Sequence, residues 1–177
     1  MTHDDIKREL TAIQTLAITC WAEARAMFIR GKGWVPAPRE ARICVANIVM
    51  NRVRMNRKRF GGNTVKGVCL ARWQFSCWEP KGGWDDPNDP DLLAENFEAV
   101  MALSERLLRG LHVIDPLYLE CEQIAAAAIA GELQDLTNGS THYYSPESMQ
   151  PRGRVPDWAL GKTPVADCCG HLFFKGV

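Results

Sequence analysis

The sequence predicts one helix-rich α+β domain. Three observations carry this. The 177 residues fall within the roughly 100–200 residues of a single domain. Apolar residues recur at spacings of three and four through much of the chain. Beyond Asn138-Gly139 the pattern changes to short extended pieces with many Gly and Pro. A hydrophobic share of 46% and a charged share of 24% are ordinary for a globular protein and exclude disorder over most of the length. A chain of this size buries about 70% of its unfolded surface and needs no disulfide scaffold.

The elements follow in order. Ile6 to Met27 reads as one helix, with Ile13, Leu16, Cys20, Glu23, Ala24 and Met27 on an apolar stripe. Gly31 and Gly33 break it, and Trp34 to Pro38 reads as a loop. Pro38 suits the first turn of a second helix running to about Met55, with Ala41, Cys44, Val45, Ile48 and Val49 as its apolar side. Gly61, Gly62 and Asn63 end that region, and Thr64 to Leu70 is a short segment with two valines. Trp73 to Trp78 reads as a strand or extended turn. The stretch 80–90 is dense in Gly, Pro, Asn and Asp and reads as a loop. Asp89-Pro90 caps a helix to about Arg109, closed by Gly110. Asp115-Pro116 repeats that signal for a helix ending at Ala130-Gly131, and Asn138-Gly139 is a turn. No repeat, low-complexity tract or linker interrupts the chain, so a single domain over 1–177, core about 11–175, is expected.

Charge and cysteine narrow the function classes. The 21 basic and 21 acidic residues cancel, so global charge gives no sign of nucleic acid. No apolar run approaches the ~20 residues of a membrane span, and no stable membrane association is expected. Seven cysteines cannot all pair within one chain, which suits a reducing compartment. Cys69 with Cys77 is the one pair placed to close a short loop after export. Lys7 and Arg8 precede a moderately apolar stretch, but Thr11, Gln14, Thr15 and Thr19 interrupt it and Asp4, Asp5 and Glu9 spoil its basic flank. No cleaved signal is expected. The chain is expected to stay in the cytoplasm until something releases it.

Glu23 is the most informative residue. A carboxylate on an apolar stripe with Leu16, Cys20 and Met27 is costly to ionise, so its proton affinity should rise. An acid still protonated near neutral pH can protonate a leaving group. The alternative is a structural Glu paired with Arg42 or Arg52. Asn47 and Asn51, four apart, share one helix face. Their amides suit sugar hydroxyl and acetamido groups, or they form a solvated flank. Trp73-Gln74-Phe75-Ser76-Cys77-Trp78 combines aromatic faces with an amide and a hydroxyl, as a carbohydrate groove does, or it is core strand.

Other features read more plainly. Arg52, Arg54, Arg57, Lys58 and Arg59 favour a helix C-terminus, with attraction to an anionic polymer as the alternative. Cys168, Cys169 and His171 lack the spacing of a zinc site, so no metal or other cofactor is expected. His142 is placed to act as a base, but no Gly-x-Ser-x-Gly or phosphate-binding loop occurs.

Taken together, these segments resemble the SleB-like cell-wall hydrolases, the spore-cortex-lytic enzymes and related phage and bacterial peptidoglycan hydrolases. The matching pieces come in family order: Trp21-Ala22-Glu23-Ala24-Arg25, Val45 to Val53, Val68-Cys69 with Gln74 to Trp78, Ala130-Gly131 through Thr141 to Tyr144, then Pro156-Asp157-Trp158 with Gly170 to Phe174. The resemblance spans about Leu16 to Phe174. It implies a lysozyme-like fold related to lytic transglycosylases. It implies cleavage of the β-1,4 bond between N-acetylmuramic acid and N-acetylglucosamine, with glycan strands as the partner; a monomer is expected, though nothing in the sequence fixes the oligomeric state. It implies Glu23 as the catalytic acid, with Asn47, Asn51, Gln74, Ser76, Trp78, His142 and Tyr143 as substrate contacts. A transglycosylase needs one carboxylate, whereas a muramidase would normally need a second, for which Glu40, Glu79 and Asp85 stand only by default. A lone catalytic domain without a wall-binding partner fits a phage or prophage endolysin released through a holin-made lesion. A bacterial wall-remodelling muramidase, a non-catalytic peptidoglycan-binding module, and an amidase or peptidase using His142 are the competing readings.

Overall fold

The computed structural model describes the backbone of all residues except Met1, Arg30, Trp73, 81–89, Gln150 and Arg152. Of the rest, the side chains of Phe28 and residues 90–95 also lie outside the description. The expected helix from Ile6 to Met27 is two helices, α1 (His3–Glu9) and α2 (Ala12–Glu23). The break comes from Thr11, whose hydroxyl accepts from Gln14 N while the Gln14 side chain accepts from Thr11 N. This reciprocal cap stabilises a fresh helix start. Leu10, at ψ 141°, leaves helical geometry just before it.

The stretch after α2 also differs from the expectation. Ala26–Ile29 is a strand, β1, paired antiparallel with β2 (Gly33–Pro36). Gly31 and Gly33, at φ 82° and 77°, allow the tight reversal between them. The expected loop at Trp34 therefore starts as a strand. Helix α3 (Arg39–Met55) runs as expected, although Pro38 is its N-cap rather than a first-turn residue. Thr64 caps a short helix, α4 (Val65–Leu70). In place of the expected strand or extended turn, Ser76–Trp78 is a 3₁₀ turn. The expected loop at 81–89 and the Asp89 cap lie outside the described residues.

Helices α5 (Pro90–Leu108) and α6 (Pro116–Ala130) match the sequence reading. Asp115 accepts from Leu117 N and Tyr118 N, and Gly131 closes α6 at φ 79°. Asn138 and Gly139, at φ 53° and 72°, form the expected turn. The last part holds β3 (His142–Tyr144), β4 (Ala166–Cys168) and β5 (His171–Phe174), antiparallel in the order β3-β5-β4. The fold is a helix-dominated α+β domain, in agreement with the lysozyme-like expectation.

Helix α2 is the axis of the core. Thr15 to Ala22 are all buried, as befits a helix surrounded by other elements. It packs chiefly along α6, and also against α3, α4 and α5. Its buried hydroxyls are satisfied: Thr15 donates to Thr11 O at 2.8 Å and Thr19 to Thr15 O at 2.7 Å. Trp78 Nε1 in turn donates to Thr19 Oγ1 at 2.9 Å.

The C-terminal end of α2 is fastened by Arg42. Its guanidinium sits 2.6 Å from Glu120 of α6 and donates to Ala24 O and Ala37 O. One buried side chain thus ties together the ends of α2, the β hairpin and α6. That end carries Glu23.

Candidate active site around Glu23

Glu23 is the last residue of α2 and is half-buried. Its Oε1 accepts from Cys77 N at 3.4 Å, and the Cys77 thiol and the Ser76 side chain lie near enough to favour its charged form. These groups come from the 3₁₀ turn, which points back at the helix end. Among the described residues Glu23 has no ion pair. Arg42, one suggested partner, is committed to Glu120. Burial drives the Glu23 proton affinity up, partly offset by the Cys77 and Ser76 hydrogen bonds and the charge of Arg52. The result is a carboxyl that holds its proton to higher pH than an ordinary Glu.

A cavity opens beside this carboxyl, lined by Met27 of β1, Cys44 of α3, Tyr143 of β3, Cys168 of β4 and His171 of β5. Its volume is about 20 Å³, room for on the order of one water. Tyr143 stacks on Phe173 with ring centroids 5.8 Å apart, and His171 meets Tyr143 edge-on at 5.6 Å. Strand alternation explains the wall: His171 and Phe173 share one face of β5, and Tyr143 is the direct cross-strand partner of Phe173. Burial lowers the His171 proton affinity, so this wall is uncharged at neutral pH.

The structure brings Glu23, Ser76 and Tyr143 together. It places the other residues suggested by the sequence as follows. Asn47 is buried and accepts from Leu136 N at 3.0 Å. Asn51 is buried too, and its Nδ2 donates to Asp135, Thr137 and Ser140 O. Both amides hold the loop between α6 and β3. Trp78 is fully buried, and Gln74 is half-buried beside the turn. Trp73 lies outside the described residues.

His142 points away from Tyr143, into a ring box of Phe60 and Trp158 at centroid distances of 5.5 and 5.2 Å. Burial and the nearby Arg52, Arg59 and Arg57 hold its pKa down to about 4. Of the default acids, Glu40 is exposed on the first turn of α3, Glu79 is half-buried after the turn, and Asp85 lies outside the described residues. Cys69 and Cys77 are free, buried thiols. No group of His, Cys, Asp or Glu among the described residues is arranged to hold a metal.

Sequence reasoning passed over Cys44 as a site residue, weighed Arg52 only as a structural partner of Glu23 or as part of a basic run, and considered His171 only for a metal. The alternation in His171-Leu172-Phe173-Phe174 was the available signal for the wall. Cys44 carried none, because its stripe reads as core.

Comparison with known proteins adds one finding. A profile described as Cell Wall Hydrolase matches residues 37–174. No curated protein and no solved structure matches the chain. The match opens at Ala37, so α2 and Glu23 lie before it, while Ser76, Tyr143 and His171 lie inside it. It takes in most of the chain, from the end of the hairpin through β5. The segments that form the cavity wall and the turn beneath Glu23 are therefore those of the Cell Wall Hydrolase family, to which this chain belongs.

Proposed function

We propose that this peptidoglycan hydrolase cleaves the glycan strand between N-acetylmuramic acid and N-acetylglucosamine, with Glu23 as the single acid and base of a lytic transglycosylase. The observation that carries this reading is the Glu23 carboxyl: half-buried, without an ion pair among the described residues, and bonded to the Cys77 N–H at the mouth of a cavity. Protonated Glu23 gives its proton to the glycosidic oxygen, and the bond from that oxygen to the muramoyl C1 breaks. Positive charge develops at C1, and Glu23 is left as carboxylate. The carboxylate then takes the proton of the muramoyl 6-hydroxyl as that oxygen attacks C1. The product is a 1,6-anhydro end, and Glu23 is protonated again. The Cys77 N–H stabilises the carboxylate between the two steps.

The deciding experiment is mass spectrometry of muropeptides released from purified peptidoglycan, with Glu23→Gln as control. Anhydro-muramoyl ends, lost in Glu23→Gln by about 10²–10⁴-fold, are expected. Reducing muramic ends would make the enzyme a muramidase with a second acid. New amino termini from stem peptides would move the chemistry away from Glu23, and wall binding without products would make it a binding module. Glu23→Gln should also melt at or above the wild type near neutral pH, since it removes a desolvated acid.

The setting we infer is host lysis by a phage-type endolysin acting as a monomer on the wall. Seven cysteines, all free and five of them buried, suit folding in a reducing cytoplasm. No helix among the described residues is long and apolar enough to cross a membrane. Expression in a bacterial cytoplasm should leave cells intact until a holin is co-expressed. Lysis without a holin would overturn this setting.

A further inference from the structure

Arg52 is a buried cation with little to hold it. It lies on α3 with 6% of its surface exposed. Its Nε donates to Thr141 O at 2.8 Å, and its guanidinium faces the Phe60 and Phe75 rings at 5.3 and 5.2 Å. Its Nη1 is buried without a hydrogen-bond partner, and no carboxylate among the described residues forms an ion pair with it. Burying an unpaired charge is costly, and an apolar side chain of similar volume would pack the same space more favourably. Packing alone therefore does not explain an arginine here.

Its neighbours show where the charge acts. Thr141 stands two residues before Tyr143, which lines the Glu23 cavity. Phe75 stands two residues before Cys77, whose N–H reaches Glu23. Arg52 thus grips both segments that face the acid. The ionisable groups around Glu23 are Cys20 on its own helix, Cys44 on α3, Cys69 on α4, Cys77 on the turn, Tyr143 on β3, Cys168 on β4 and His171 on β5. Burial pushes Cys20, Cys44, Cys69, Cys77 and Tyr143 up and His171 down, so these stay neutral at pH 7. Of the two buried arginines nearby, Arg42 reaches Ala24 O but is paired with Glu120, so Arg52 supplies the unpaired positive charge that acts on the acid.

We propose that Arg52 is a positioning residue whose buried charge lets Glu23 give up its proton inside an apolar site. Burial by itself makes Glu23 a poor donor: it keeps the proton, and the carboxylate left after transfer is unstable. The cation of Arg52 stabilises that carboxylate without touching it, while its grip on Thr141 and Phe75 keeps Tyr143 and Cys77 in place. The proposal rests on Glu23 as the acid of the reaction.

The test is a carbon-detected NMR titration of the Glu23 carboxyl in the wild type, Arg52→Met and Arg52→Lys, run beside the pH profile of wall lysis. The titration needs no substrate, so it separates this proposal from the function reading. If Glu23→Gln still lyses walls, the function reading fails whatever the titration shows. Arg52→Met keeps the volume and removes the charge, and should raise the Glu23 midpoint by about one pH unit. The alkaline limb of lysis should move up with it while the maximal rate falls. Arg52→Lys should stay close to the wild type in midpoint. An unmoved midpoint in Arg52→Met, or an equal shift in Arg52→Lys, would overturn the proposal. Arg52→Gln serves if Arg52→Met does not fold. Failure of both to fold would overturn it too, by making the guanidinium purely structural.

Discussion

His142, which the sequence offered as a substrate contact or a base, sits in an aromatic box in the fold. Its ring is boxed by Phe60 and Trp158, its Nδ1 lies 3.0 Å from Thr141 Oγ1, and three arginines oppose its protonation. The folded pKa of about 4 lies below the ordinary 6.5, so the unfolded chain binds the extra proton between these values. The stability that His142 contributes is therefore complete above pH 6.5 and is lost as the pH falls through about 4. Thermal melts from pH 7 to 4 should show this slope, and His142→Phe should flatten it. An unchanged slope in that variant would refute the assignment. The half-buried setting of Glu23 was legible at this scale because one acid on an apolar stripe is a local contradiction. Asn47 and Asn51 were not, because their partners at 135–140 come from a loop more than eighty residues away. Asn51→Ala should cost about 1–3 kcal/mol by leaving that loop short of donors, read as a lower denaturation midpoint.

Among the elements, those with both ends written in the sequence were the legible ones. Helix α6 has an Asp115-Pro116 start and a Gly131 stop, and it runs between them. The break between α1 and α2 was hidden because the apolar stripe continues across it, while a Thr11–Gln14 cap resets the backbone. The β1–β2 hairpin was hidden because four-residue strands are too short for alternation to speak. The joint between these elements depends on Arg42. Arg42→Ala strands Glu120 and the carbonyls of Ala24 and Ala37, and should cost about 3–5 kcal/mol. Melting should fall by on the order of 10 °C, and lysis should weaken further as the end of α2 loosens.

At the scale of the whole molecule, a buried helix carries the Glu23 carboxyl and a sheet from the far part of the chain forms the wall beside it. The two meet through Tyr143 and Phe173. Phe173 is 2% exposed, so Phe173→Ala should cost about 3–5 kcal/mol. It should also lower lysis more than an equally destabilising change on the outer face of α5, because the Tyr143 ring loses its support.

The order of strands has a consequence in time. Both β3 and β4 pair with β5, and β5 follows them in the chain. The sheet cannot assemble on a growing chain until residues 171–174 have emerged from the ribosome. Until then Glu23 faces water rather than Tyr143 and His171, and an acid in water holds its proton no more tightly than any other glutamate. The raised proton affinity of Glu23 is thus acquired only when the middle strand of the sheet slides into place.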